Sequence, residues 1–279
     1  TLVDMFGIDA VRYYMIHEMP FDNDGVFTWD TMVERYNSDL ANTLGNLVKR
    51  TISMGNQYLG GVIEDKEVKD DFDDDLYETV LATKAKAEDK MATLHVADAI
   101  TEIFNLFKRC NKYIDETEPW VLAKDPEKQD RLATVLYNLV EGITIGASLL
   151  EPFMPETTGR ILAQLHAEKR DYEQLDQFGL YPSGNHVTEK PEILFARMDL
   201  KEVLDKVGVK EEAPAAPAAP EKQVELPPIK PEIDYEDFAK VDFRLAKVKA
   251  CEEVKKSKKL LIFSNAGDCS SHRWQCRYR

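Results

Sequence analysis

From about Asp30 to Leu59 the chain holds one apolar stripe at helical spacing, made of Val33, Tyr36, Leu40, Leu44, Leu47, Thr51 and Tyr58. A helix with one long apolar face must bury it, so a stripe of this length calls for partner helices. Three more stretches supply them. Phe72, Leu76, Val80, Ala87, Met91 and Leu94 form the core side of a helix opened by Asp71 to Asp75. Acids there suit the positive end of a helix dipole. Ile100, Ile103, Phe104, Phe107, Cys110 and Ile114 line a helix that ends before Pro119. Leu132, Val135, Leu136, Leu139, Val140, Ile143, Ala147 and Leu150 line another, stopped by Pro152. Pro155 then suits the first turn of a short helix reaching Leu165. The expected fold is mainly α, an antiparallel helical bundle with short connections.

The helical reading fades after about residue 170. Gly184 to Asp199 lacks a helical period, and "EILFARMD" is expected to run extended back over the bundle. "EEAPAAPAAPEKQVELPPIKPE" is rich in Ala, Pro and Glu. Such a segment cannot build a core and reads as an extended linker, with an upper reach of roughly 65 Å. Beyond it, "IDYEDFAKVDFRLAKVKACEEV" is folded-looking again. Val241, Phe243, Leu245 and Val248 suggest a strand after a short helical turn. The expected organisation is a helical domain over 1–205, a linker over 206–231 and a small β module over 232–279.

Charge and cysteines bound the chemistry. The formal net charge is −15, so a polyanion is repelled at long range and any nucleic-acid contact must be local. Cys110, Cys251, Cys269 and Cys276 form no CxxC pair, which suits a reducing cytosol. No run is expected to approach the length of a membrane span, and the first residues do not resemble a leader. Thr1 is not a methionine, so the chain reads as a piece of something longer.

Catalytic and metal signatures are not evident. There is no Gly-rich phosphate loop. "PFDNDGVFTWDT" fails as a calcium loop, because Pro20 and Thr31 stand where acids are required. Asp73, Asp74 and Asp75 are explained as an acidic helix start. Cys269, His272 and Cys276 match no common zinc spacing, so no metal site is expected. No His, Ser or Cys has a recognisable nucleophile setting, so no catalytic residue is assigned.

Binding candidates remain. Asn46 and Arg50 are four apart on the long helix, roughly 80 to 120° round from its apolar stripe at about 3.6 residues per turn. They are either a solvated polar pair or, by chemical type, readers of a base edge. Asparagine offers a donor and an acceptor, and arginine a rigid donor fork. Trp120 follows Pro119, which restricts the backbone presenting it. It is either a cap over the bundle end or a stacking platform for an unstacked base, which is worth about 1–3 kcal/mol. Stacking needs no large positive field, so an acidic protein can use it.

"FGIDAVRYYM", "ERYNSDLANTLGNLVKR", "EPWVLAKD" and "LEPFMPETTGRIL" occur here in the order and spacing of bacterial methionyl-tRNA synthetases. Over about residues 1–200 the chain resembles that family's class I helical anticodon-binding domain. The resemblance implies that Asn46, Arg50, Pro119 and Trp120 match positions that contact the CAU anticodon of methionine tRNA, chiefly its first base. "DAVRYY" would join a catalytic body to the bundle, or serve as ordinary helix core, or both. "IDYEDFAKVDFRLAKV" and "KKSKKLL" are similar to the family's appended tRNA-binding module, an OB-fold. In that module Lys255, Lys256, Lys258 and Lys259 would contact RNA backbone, or form a solvated basic turn. After Asp268 the chain departs from the family, reading "CSSHRWQCRYR", so an incomplete OB-fold is expected with an atypical tail from about 269. The family's HIGH and KMSKS signatures do not occur, so ATP and Mg belong to a catalytic domain expected to lie outside this chain. The resemblance further implies a cytoplasmic protein and a homodimer through the intact OB-fold module. The alternatives are the bundle of another class I synthetase and a protein-interaction scaffold that never meets RNA.

Overall fold

The computed structural model describes residues 2–19, 24–208, 247–253, 260–266 and 274–277. The chain divides into two units, Thr1–Pro214 and Ala215–Arg279.

The first unit is helical. Its elements are α1 (Leu2–Phe6), α2 (Ile8–Glu18), α3 (Trp29–Arg35), a π-helix (Tyr36–Gly45), α4 (Asn46–Leu59), α5 (Asp71–Ala92), α6 (Val96–Thr117), α7 (Pro119–Leu122), α8 (Gln129–Leu150), α9 (Pro155–Leu165) and α10 (Leu200–Val207). β1 (Val62–Ile63) and β2 (Asn185–His186) form a short antiparallel pair, Val62 opposite His186. The helix read over 30–59 is one continuous rod with a change of register in its middle. Val33, Tyr36, Leu40, Leu44, Leu47 and Thr51 are all buried and Tyr58 is half-buried. Within Tyr36–Gly45 the bonds run i to i+5, as when the Asn46 N–H donates to the Ala41 carbonyl. A spacing of four suits both registers, which is why the stripe does not reveal the change.

α8 is the axis of the bundle. Every residue from Arg131 to Ser148 is buried, whereas the sequence pattern marked one stripe only. Its polar side chains are satisfied locally: Thr144 and Ser148 donate to the carbonyls of Val140 and Thr144, both at 2.8 Å. Gly142 and Gly146 let α6 come close. A Cβ on Gly146 would lie 2.5 Å from Cε1 of Phe107. The span Pro126–Leu150 is also long and apolar enough to cross a membrane, contrary to the expectation that no run approaches one. Other helices cover it, so its apolarity is accounted for as core.

α5 corrects the sequence reading in another way. Leu76, Val80 and Ala87 are buried, but Phe72, Met91 and Leu94 are exposed. This helix packs mainly on α6, and these three side chains stand outside that contact. Its start is built by Asp70, which caps the helix, and Asp73, whose Oδ2 accepts the Asp70 N–H at 3.1 Å. Asp73 is fully buried. It holds Arg131 of α8 through two bonds of 2.7 Å and accepts the Tyr113 hydroxyl of α6 at 2.5 Å. Asn138 donates to that hydroxyl at 3.1 Å. Three helices are thus locked at one end. The acidic helix start read from Asp73 to Asp75 is also an ion-pair anchor, since Asp75 pairs with Arg109 at 2.6 Å.

At the other end, α2 is tied to the α8–α9 turn. Asp9 accepts the Thr157 N–H at 2.6 Å, at the start of α9, and Arg12 donates to the carbonyls of Pro152 and Phe153. The segment "EILFARMD" crosses the bundle without regular structure, as read. Leu194 and Phe195 are buried, Phe195 packs edge-on against Tyr36, and Met198 exchanges two hydrogen bonds with Asn37. The pattern did not reveal α10, which follows at once.

In the second unit β3 (Lys247–Glu253), β4 (Leu260–Ala266) and β5 (Trp274–Arg277) form an antiparallel sheet in that order, with a register shift between Val248 and Ala250. The atypical tail contributes β5, whose Trp274 pairs with Phe263. Val241, Phe243, Leu245, Lys255, Lys256, Lys258, Lys259, Cys269 and His272 lie outside the described residues.

Candidate nucleic-acid interface

Asn46 begins α4 where the π register ends, and it is exposed. One turn later, Arg50 is about a third exposed and its Nη2 reaches Asp115 Oδ1 at 3.4 Å. Asp115 sits in the last turn of α6, with 68% of its side chain exposed. An ion pair this long and this open contributes at most about 1 kcal/mol, so the guanidinium is free to exchange its partner. A turn below Asp115, Asn111 donates its amide N–H groups to the carbonyls of Thr43 (2.9 Å) and Phe107 (3.0 Å).

The end of α6 is stiff. Arg109 pairs with Asp75 of α5 and, at 2.9 Å, with Glu116. Pro119 disfavours the helical conformation at the residue before it. Glu118 accordingly leaves the helix at φ 44°, ψ 62°, the left-handed region, while its N–H still closes on the Ile114 carbonyl at 3.1 Å. This backbone costs about 1–3 kcal/mol for a residue with a Cβ. It turns the chain into α7, a single turn pinned by its own ladder and by Gln129, which donates to the carbonyls of Ala123 and Asp125.

α7 buries Pro119 and packs Leu122 and Ala123 on the core. Trp120 and Val121 are left outward, with Trp120 36% exposed. Trp120 is thus partly open at this turn. It is held on a short turn whose backbone is fixed on both sides.

The structure thus brings Arg50 to Asp115, five residues before Trp120 in the chain, with Asn46 on the same helix as Arg50. Among the described residues no hydrogen bond, ion pair or ring contact joins Trp120 to Asn46 or Arg50. The sequence reading passed over Asn111 and Asp115. They are four apart on α6, beside its apolar stripe, which is the same spacing that singled out Asn46 and Arg50. The local charge is mixed, with Lys112 pairing with Glu116 at 3.1 Å, so this surface offers stacking and edge contacts more than a positive field.

Comparison with known proteins identifies the family. The family described as the anticodon binding domain of methionyl tRNA ligase matches residues 63–206, and that described as tRNA synthetases class I (M) matches residues 1–52. Methionine–tRNA ligase of Clostridium perfringens is 46% identical over 261 residues, and that of Clostridium acetobutylicum 43% over 262. Each alignment takes in 94% of this chain and 40% of the relative, so the chain spans about two fifths of their length. The free-state crystal structure of Mycobacterium tuberculosis methionyl-tRNA synthetase superposes with TM-score 0.66 at 31% identity, covering 71% of this chain and 40% of that one. The same enzyme in complex with methionyl-adenylate gives 0.65 at 32%, covering 70% and 39%. With helical bundle, motif order and close relatives in agreement, the chain belongs to the methionyl-tRNA synthetase family and carries its anticodon-binding domain.

Proposed function

We propose that this chain binds the anticodon loop of methionine tRNA, reading the first base of CAU through Asn46, Arg50 and Trp120, with Pro119 fixing the turn that presents the indole. The observation that carries the reading is the Arg50–Asp115 pair beside the rigid α6–α7 turn. It sets a carboxylate acceptor next to guanidinium donors, with the Asn46 amide one turn away. The pairing edge of cytosine carries an amino donor beside two acceptors, so it complements that set. Uracil presents an acceptor where cytosine has the amino group, and would face Asp115 unpaired. Trp120 supplies stacking without regard to base identity.

In the whole protein this binding would serve ATP-dependent attachment of methionine to the tRNA, in the cytoplasm. ATP and Mg would act in a catalytic domain outside this chain. The second unit would be part of an OB-fold tRNA-binding module, with Lys255, Lys256, Lys258 and Lys259 near RNA backbone, and that module would pair two copies of the intact protein.

The test is affinity for anticodon stem-loops that differ only at the first base, at fixed salt. The expected result is preference for CAU over UAU. Trp120→Ala should weaken both by about 1–3 kcal/mol. Arg50→Ala or Asn46→Ala should reduce the preference by a similar amount. Equal binding of both loops, unchanged by all three substitutions in a folded protein, would replace this reading with that of a protein-interaction scaffold.

A further inference from the structure

We propose that Asn111 is a positioning residue for first-base discrimination: it holds the π-to-α junction of the long helix against α6, so that Asn46 and Arg50 stand in register with the turn bearing Trp120. The inference rests on the reading of that surface as an anticodon site.

Three observations carry it. First, the π-helix runs directly into Asn46. An i to i+5 register is inherently less favoured than an α-helix and persists where its surroundings hold it. A return to α geometry between Tyr36 and Gly45 would rotate everything after it about the helix axis. Asn46 and Arg50 would then turn away from α6.

Second, the junction is held from outside. Asn111 commits its amide nitrogen to the Thr43 carbonyl, three residues before Asn46, and to the Phe107 carbonyl of its own helix. The second bond fixes the side chain on α6, and the first ties the π segment to it. Thr43 in turn donates its hydroxyl to the Ser38 carbonyl at 2.9 Å, five residues back, which is the π spacing. At the far side of the segment, Asn37 is held by Met198 and Asp39 accepts the Tyr13 hydroxyl at 2.9 Å.

Third, α6 is also the helix that carries Asp115 and leads into Pro119 and Trp120. Asn46 lies between two polar bonds that join the long rod to α6, Thr43–Asn111 before it and Arg50–Asp115 after it. Of these, the Arg50–Asp115 pair is the one that must open to admit a base. Asn111 would keep the two helices in register while it does.

The experiment uses the whole 279-residue chain. Affinities for CAU and UAU stem-loops are measured for wild type, Asn111→Ala and Asn111→Asp, and for Arg50→Ala with and without Asn111→Ala. Asn111→Asp keeps the side chain's size and removes both donors, so it serves if the alanine variant folds poorly. Both Asn111 variants should lose about tenfold of the CAU preference. In the Arg50→Ala background, Asn111→Ala should cost little further preference, because the two act on one contact. A role in stability alone would lower the denaturation midpoint and leave the ratio of the two affinities intact. That result, with Arg50→Ala still reducing the ratio, overturns the proposal and leaves the anticodon reading standing. A wild type without any preference removes the anticodon reading, and this inference with it.

Discussion

Asp73→Asn should strongly destabilise the helical unit. The carboxylate is fully buried and accepts four donors: two from Arg131 at 2.7 Å, the Tyr113 hydroxyl at 2.5 Å and the Asp70 N–H at 3.1 Å. An amide in its place turns one acceptor into a donor facing other donors. It also leaves a guanidinium whose side chain is 9% exposed without its counter-ion. Breaking a buried pair from one side costs about 3–5 kcal/mol, and losing the reciprocal cap adds about 1 kcal/mol. Against a typical total of about 5–15 kcal/mol, such a loss would bring the domain near unfolding. Urea denaturation followed by helical circular dichroism measures it, with Asp74→Asn as the exposed control, expected to stay within about 0.5 kcal/mol. Replacing both members, Asp73→Leu with Arg131→Met, should recover most of the loss, because no charge is then left buried. A fall of less than about 1 kcal/mol for Asp73→Asn, with an unchanged urea slope, would refute the reasoning: the pair would have to be solvated in the folded state.

Other consequences can be checked alongside. Gly146→Ala should destabilise by about 1–3 kcal/mol despite a helix-propensity gain of about 1 kcal/mol, because its Cβ would meet the Phe107 ring at 2.5 Å. Gly159→Ala in α9 has nothing within 4 Å of its Cβ and should raise the melting temperature, by the same propensity term unopposed. Burial raises the phenols of Tyr13, Tyr113 and Tyr137 above their ordinary 10.0, and that of Tyr181 up to about 12. A group raised on folding contributes stability that is whole below its unfolded value and is lost as pH rises through the folded one. Urea midpoints should therefore drop above about pH 10, less steeply in Tyr113→Phe, and ultraviolet titration should show these phenols ionising only as the protein unfolds. Cys110 is buried with its thiol pushed up to about 12, so thiol reagents should label it only after denaturation.

Much of the helical unit is written locally. Apolar residues at period 3.6 and prolines at 119, 152 and 155 are sufficient to mark α6, α8 and α9, because both signals act through the backbone of the segment that carries them. The Asn46–Arg50 spacing and the Pro119–Trp120 turn are of the same kind: one is fixed by helix geometry, the other by the proline ring. What the sequence alone could not decide depended on which segments meet. Phe72, Met91 and Leu94 continue an apolar stripe, yet they stand exposed in the folded bundle. α8 carries the pattern of a one-sided helix, yet it is covered on all sides because five helices and a strand pack around it. The π register is invisible in the stripe because a spacing of four serves two periods. It becomes visible only in the folded backbone, where the Asn46 N–H donates to the Ala41 carbonyl. Asp73 finds Arg131 across 58 residues, and Arg50 finds Asp115 across 65. Charges so far apart in the chain choose their partners by distance in space, which the folded bundle alone supplies.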